Sequence, residues 1–206
     1  MTLLSNVNNI LPEIGFPQLT SVVGNTNQLA RQALALANRE GRSLAKHDWR
    51  ILVKRNVITT ASSADSYSLP SDFDHFIHST EWNETKRNRL YGPIDDTYWN
   101  ADLSGLTVVT VADRFQLRAD GVNSRIFIRP VPTTSANITF FYAANSWCRS
   151  AGGQRQSSFA ADTDVLLLDD YVFELGIKWR LLQAQKRDYQ VEMAEYTNEK
   201  KKAMAR

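Results

Sequence analysis

Apolar residues near the start of the chain recur at steps of three and four: Leu3, Leu4, Val7, Ile10, Leu11 and Ile14. That spacing puts them on one face of a helix. Pro12 stops or bends the helix, because its ring clashes with the carbonyl four residues back. Gly15 and Pro17 then open a loop. A second helix is predicted from Asn25, a cap with Gln28 three residues on, to near Lys46. Its stripe is Leu29, Ala33, Leu36, Ala37, Glu40 and Leu44. Ala30, Ala33, Ala35 and Ala37 keep it thin, so a partner helix can approach closely.

At Trp49 the period becomes two. Trp49, Ile51, Val53, Arg55, Val57 and Thr59 alternate with Arg50, Leu52, Lys54, Asn56 and Ile58, which reads as a strand. A polar loop over 61–66 precedes Tyr67 to Phe73, and an extended stretch runs from His75 to Trp82. Asn83 to Leu90 is a polar, basic turn region, followed by a short helix over Asp95 to Ala101. Further strands are expected at Arg114–Leu117, Arg125–Arg129 and Asn137–Tyr142, with a turn at Asp120-Gly121 and prolines 130 and 132 ending the middle strand. Ser150 to Ser158 has no apolar anchor and reads as a loop.

Helix returns after Asp169 and Asp170, which suit a positive N-terminal helix end. Val172, Leu175, Trp179 and Leu182 form a firm stripe, which Tyr189, Met193 and Tyr196 continue more sparsely. The pattern predicts an α+β fold: a helical bundle from the N- and C-terminal helices with a β-rich insertion. The expected divisions are 1–48 for the first part of the helical body, 49–164 for the insertion, and 165–206 for the rest of the body with a C-terminal docking helix. No internal repeat is visible.

Composition narrows the function. Of 206 residues, 43% are hydrophobic, as in a folded globular protein. A net charge of +2 gives no global electrostatic reason to expect nucleic-acid binding. No secretory signal and no membrane-spanning run is visible. The single cysteine, Cys148, has no internal disulfide partner and reads as a small half-buried residue beside Trp147. The three histidines, His47, His75 and His78, do not form the i, i+4 pair of a zinc protease. The acidic pairs Asp95-Asp96 and Asp169-Asp170 stand where helices begin, so capping accounts for them. Gly152-Gly153 lacks the lysine of a phosphate loop. The reading assigns no catalytic residue, no cofactor and no metal.

Surfaces for partners remain. The Tyr189, Met193, Tyr196 stripe is thin for a core and apolar for a solvated face. Packing on the chain's own body and an interface with another protein are both open. Lys86, Arg87, Arg89 and Tyr91 form one basic cluster, and Lys200, Lys201 and Lys202 another. A solvated face or contact with an acidic protein neighbour is favoured over phosphate for both.

One segment resembles a known family. Ala30 to Gly41, running through Leu44-Ala45-Lys46-His47-Asp48-Trp49, resembles the opening helix of phage head-to-tail adaptor (connector) proteins of short-tailed phages and related particles. Tyr67-Ser68-Leu69-Pro70-Ser71-Asp72-Phe73 is similar to the family's Tyr-x-Leu-Pro-x-Asp-Phe segment. Trp82-Asn83, the basic loop and Arg89-Leu90-Tyr91-Gly92-Pro93-Ile94 follow in the family's order, before a short helix with Trp99. The agreement covers residues 26 to 100.

The resemblance implies a structural virion protein of the neck and tail, assembled in the host cytoplasm as a ring of typically twelve copies. Its implied partners are the portal protein, a tail nozzle or tail-tube protein, and copies of itself. DNA would pass through the lumen without sequence-specific binding. Tyr189, Met193, Tyr196, Lys200, Lys201 and Lys202 are the candidate portal contacts. Lys86, Arg87, Arg89 and Tyr91 are the candidates toward the tail or a neighbour. A tail-completion or tail-tube protein, and a cell-wall-degrading tail enzyme, are the alternatives.

Overall fold

The computed structural model describes residues 1–105, 112–120 and 123–205. By contact the chain forms two compact units: Met1–Leu52 with Ala144–Arg206, and Val53–Ala143.

The first unit begins with α1 (Leu3–Ile10) and a 3-10 turn at Pro12–Ile14, and continues with α2 (Gln28–Ala45). Asn27, not Asn25, caps α2: its side chain accepts from the Leu29 N–H at 2.8 Å. Asn25 accepts from the Asn27 N–H and so shapes the approach. Trp49 donates its indole N–H to the Leu44 carbonyl at 2.7 Å, closing the helix end. That cap uses residues expected in a strand, so the strand starts later, at Val53.

Late in the chain come the short strands β9 (Cys148–Arg149), β10 (Arg155–Gln156) and β11 (Val165–Leu166), with β9 in the middle. They are followed by α4 (Asp170–Ala184), capped by Asp169. The last helix, α5, spans Gln190–Met204. It is not a continuation of α4. Lys186 adopts a left-handed conformation (φ 58°), and Arg187 donates to the Ile14 carbonyl at 2.7 Å. The chain therefore reverses between the two helices.

α4 is buried on most of its circumference, through Val172, Phe173, Leu175, Ile177, Leu181 and Leu182. α1, α2 and α5 all pack on it. Two contacts are closer than ordinary side chains permit. A Cβ on Gly41 of α2 would lie 2.4 Å from the Trp147 ring, and one on Gly176 of α4 would lie 2.4 Å from the Glu40 carboxyl carbon. Glu40 is fully buried and ion-paired with Arg180. Arg180 also donates to the Gly176 carbonyl at 3.1 Å and lies 4.3 Å from the Trp179 ring centre. Burial raises the Glu40 pKa, against the pull of Arg180 and the Tyr196 hydroxyl.

The second unit holds β1 (Val53–Thr59), β2 (Ser66–Ser68), β3 (Phe73–Phe76), β4 (Trp82–Asn83), β5 (Asn88–Arg89), α3 (Asp96–Leu103), β6 (Arg114–Asp120), β7 (Asn123–Arg129) and β8 (Asn137–Ala144). One sheet has the order β1-β8-β4-β5, with β3 also on β8, and another the order β2-β7-β6. The expected turn after Asp120 falls at 121–122, outside the described residues. Phe76 joins the two sheets, with ring centres 4.8 Å from Phe140 and 5.3 Å from Phe115. α3 begins at the Asp95 cap and buries Trp99 beside Phe127, 6.5 Å between ring centres.

The expected helical bundle is not what forms. The described residues hold five α-helices and eleven strands in three antiparallel sheets, with helices toward both ends and a central β-rich region. The helices do not close a core on one another: β9 and its flanks supply Trp147 and Cys148 to it, and α3 belongs to the β-rich unit.

Two outcomes follow from this packing. Gly176→Ala should cost about 1–3 kcal/mol by overpacking against Glu40, read as a lower urea midpoint. In the β-rich unit, burial would raise the Asp72 pKa, but hydrogen bonds from Lys54 and Tyr142 overcome it and hold it below its ordinary 3.8. Its contribution to stability is thus present above that value and is lost as pH falls through the depressed one. Asp72→Asn should be less stable than the parent at neutral pH, with the gap closing in acid, as followed by melting temperature against pH.

Candidate functional site

α5 carries one of the two candidate surfaces. The chain reversal brings Tyr189 and Tyr196 back onto Trp179, with ring centres at 6.0 and 6.2 Å. Tyr196 is buried at 7% exposure and sits with Glu40 and Arg180. Burial and the Glu40 charge push its phenol pKa up. The Tyr171 hydroxyl donates to Glu195 at 2.8 Å, a further tie between α4 and α5.

Two apolar residues of α5 are left to solvent, Met193 one turn from Tyr196 and Val191 on the far side of the helix. Val191 is 73% and Met193 44% exposed. Lys200 reaches back to within 5.8 Å of the Tyr196 ring centre, Lys202 pairs with Glu199 at 2.6 Å, and Lys201 is exposed. The sequence stripe therefore divides: Tyr196 points inward, Tyr189 is half-buried at the edge, and Met193 points outward. Val191 escaped the sequence reading because it lies off the stripe.

The second surface is on the β-rich unit. Lys86 donates to Asp113 at 2.8 Å, a buried carboxylate that also accepts from the Asn83 amide at 2.9 Å. Lys86 is thereby committed to holding the β4–β5 turn. Arg87 is exposed at the tip, with φ 56°. Arg89 donates to the Ser79 hydroxyl at 2.8 Å and lies 5.8 Å from the ring centre of Tyr91, itself exposed. The structure thus gathers all four predicted residues at one hairpin.

Beside them lies a surface that sequence reasoning missed. Val57, Phe141 and Trp82 are 44%, 41% and 46% exposed on the outer side of the β1-β8-β4 sheet. The register aligns Val57 with Thr139, and Thr139 with Trp82. The signal was the alternation in β8, where Phe140 and Tyr142 point inward and Phe141 must then point out.

A family model described as SU10 adaptor protein matches residues 2–206. The chain belongs to the SU10 adaptor protein family. The resemblance to phage head-to-tail adaptors, read over residues 26 to 100, thus extends over nearly the whole chain. A search of curated proteins found no match. As a family member the adaptor is a structural component of a phage particle, at its neck, with portal and tail proteins as its general class of partner. No helix among the described residues is long and apolar enough to cross a membrane.

Several of the adaptor's titratable groups are engaged in structural contacts. Among the described residues no group of three or more His, Cys, Asp or Glu side chains is placed to hold a metal ion. His75 contacts Asp74 at 2.7 Å. Cys148 is fully buried, and its thiol donates to the Gln156 carbonyl at 3.2 Å. Burial, with the Asp164 charge beside it, pushes the thiol pKa up to about 12. Only the thiolate is a strong nucleophile. Cys148 should therefore resist a maleimide at pH 7 in the native adaptor and react fully in denaturant, as counted by mass spectrometry.

Proposed function

We propose that the adaptor forms a closed ring, of twelve copies as the family resemblance implies, that joins the portal to the tail and continues the DNA channel. α5 docks on the portal, and the β4–β5 hairpin with its apolar sheet face meets a tail nozzle or tail-tube protein. The ring assembles in the host cytoplasm before the virion is complete.

The observation that carries this reading is the apolar surface that α5 leaves exposed while Tyr196 is buried. Tyr196 fastens the helix's inner side, while Met193 one turn away and Val191 on the far side of the helix stand in water. Helices that serve only their own core present polar residues outward. Methionine and aromatic side chains are enriched at protein interfaces. The lysines 200 to 202 supply a basic rim suited to an acidic neighbour. A closed heterologous ring needs two different faces on every copy, and the helical and β-rich units offer surfaces of different chemistry.

The test is a pull-down of the adaptor on assembled portal. Val191→Glu with Met193→Glu should weaken docking at least about tenfold, near 1.4 kcal/mol, with the melting temperature unchanged. Tyr196→Ala should lower the melting temperature instead. Unchanged docking by the glutamate variant would remove α5 from the portal contact.

A further inference from the structure

The exposed side of α2 carries a charge pattern that neither docking surface uses. Arg31, Arg39, Arg42 and Lys46 all stand in solvent. At 3.6 residues per turn they fall within an arc of about 80°, and their fifteen-residue span covers about 22 Å. Ala35 is the exposed residue between the first two. The helix's only acidic residue, Glu40, is buried on the other side. Among the described residues, none of the four forms an ion pair; Arg42 donates only to the Asn38 carbonyl, at 3.2 Å. With a net charge of just +2, this concentration is a local asymmetry.

We propose that this face of α2 binds the phosphate backbone of duplex DNA without reading its sequence. One feature favours DNA over an acidic protein. None of the chain's exposed large hydrophobic residues lies on α2, so the stripe lacks the apolar centre of a protein interface. Three of its four cations are arginines, whose planar forks pair with phosphate and carboxylate oxygens alike. At 3.4 Å per base pair, its length corresponds to about six base pairs of duplex. A second arginine pair lies in the same unit: Arg149 and Arg155 are exposed register partners on β9 and β10. The proposal needs neither portal nor ring, so it stands or falls apart from the docking reading.

The test uses the purified chain and two fluorescein-labelled duplexes of about 20 base pairs and unrelated sequence, with anisotropy read at several salt concentrations. Both duplexes should bind equally. The log–log salt slope should be about −3 to −4, near 0.9 per neutralised phosphate. Replacing Arg31, Arg39, Arg42 and Lys46 together by Gln should weaken binding at least about tenfold and bring the slope toward zero, with the far-ultraviolet dichroism retained. The single variants Arg31→Gln and Arg39→Gln should each reduce the slope by about one, which keeps the test readable if the fourfold variant misfolds. The proposal is overturned if the parent chain does not bind duplex, or if the variants bind with the parent's affinity and slope. Displacement of the duplex at a lower charge concentration of poly-glutamate than of unlabelled duplex would also overturn it, assigning the stripe to an acidic protein.

Discussion

The helical unit is organised around one buried charge. Glu40 lies on the alanine-lined side of α2, where water cannot solvate a carboxylate. A charge in such a place is stable only when paired and hydrogen-bonded. Arg180 on α4 supplies the countercharge, Gly176 supplies the room, and the Tyr196 hydroxyl reaches the same carboxylate from α5. Three helices, α2 from early in the chain and α4 and α5 from late in it, thus meet at one group. The next residue, Gly41, admits the Trp147 ring in the same way, which seats the β9 segment against α2.

The setting of α5 connects the core to the surface. By committing Tyr196 inward, the pair determines which residues of α5 face out. The β-rich unit follows the same rule with other means. Phe76 and Phe140 are drawn between its sheets, so Phe141 and Trp82 are turned to solvent. Lys86 and Asp113 hold the neighbouring turn in place. In both units the apolar residues left outside are those that the internal packing cannot accommodate, which is the physical basis for a protein whose task is to hold neighbours.

Much of this was legible in the sequence. The periodicity of α2 and the apolar run of α4 locate the main helices: α2 buries one face, and α4 most of its circumference. The ordered motifs from Ala30 to Ile94 point to the adaptor family, and the match over residues 2–206 agrees. The helical bundle was misread for a clear reason. Strands of two residues, such as β9 and β10, are too short to show a period, and Ser150 to Ser158 carries no apolar anchor. The reversal before α5 was hidden because Lys186, not glycine, takes the left-handed turn, while the three-and-four spacing happens to continue across it. Glu40 was visible as a polar member of an apolar stripe. Its partner was not, because Arg180 is remote in sequence and nothing local marks it.

Glu40 and Arg180 act as one unit, and a double-mutant cycle with Glu40→Leu and Arg180→Leu, read by urea unfolding, measures that coupling. Each single change should cost about 3–5 kcal/mol, because it strands a buried charge, while the double variant should recover most of that loss. Single variants close to parental stability, or a double variant whose loss equals the sum of the two, would contradict the account.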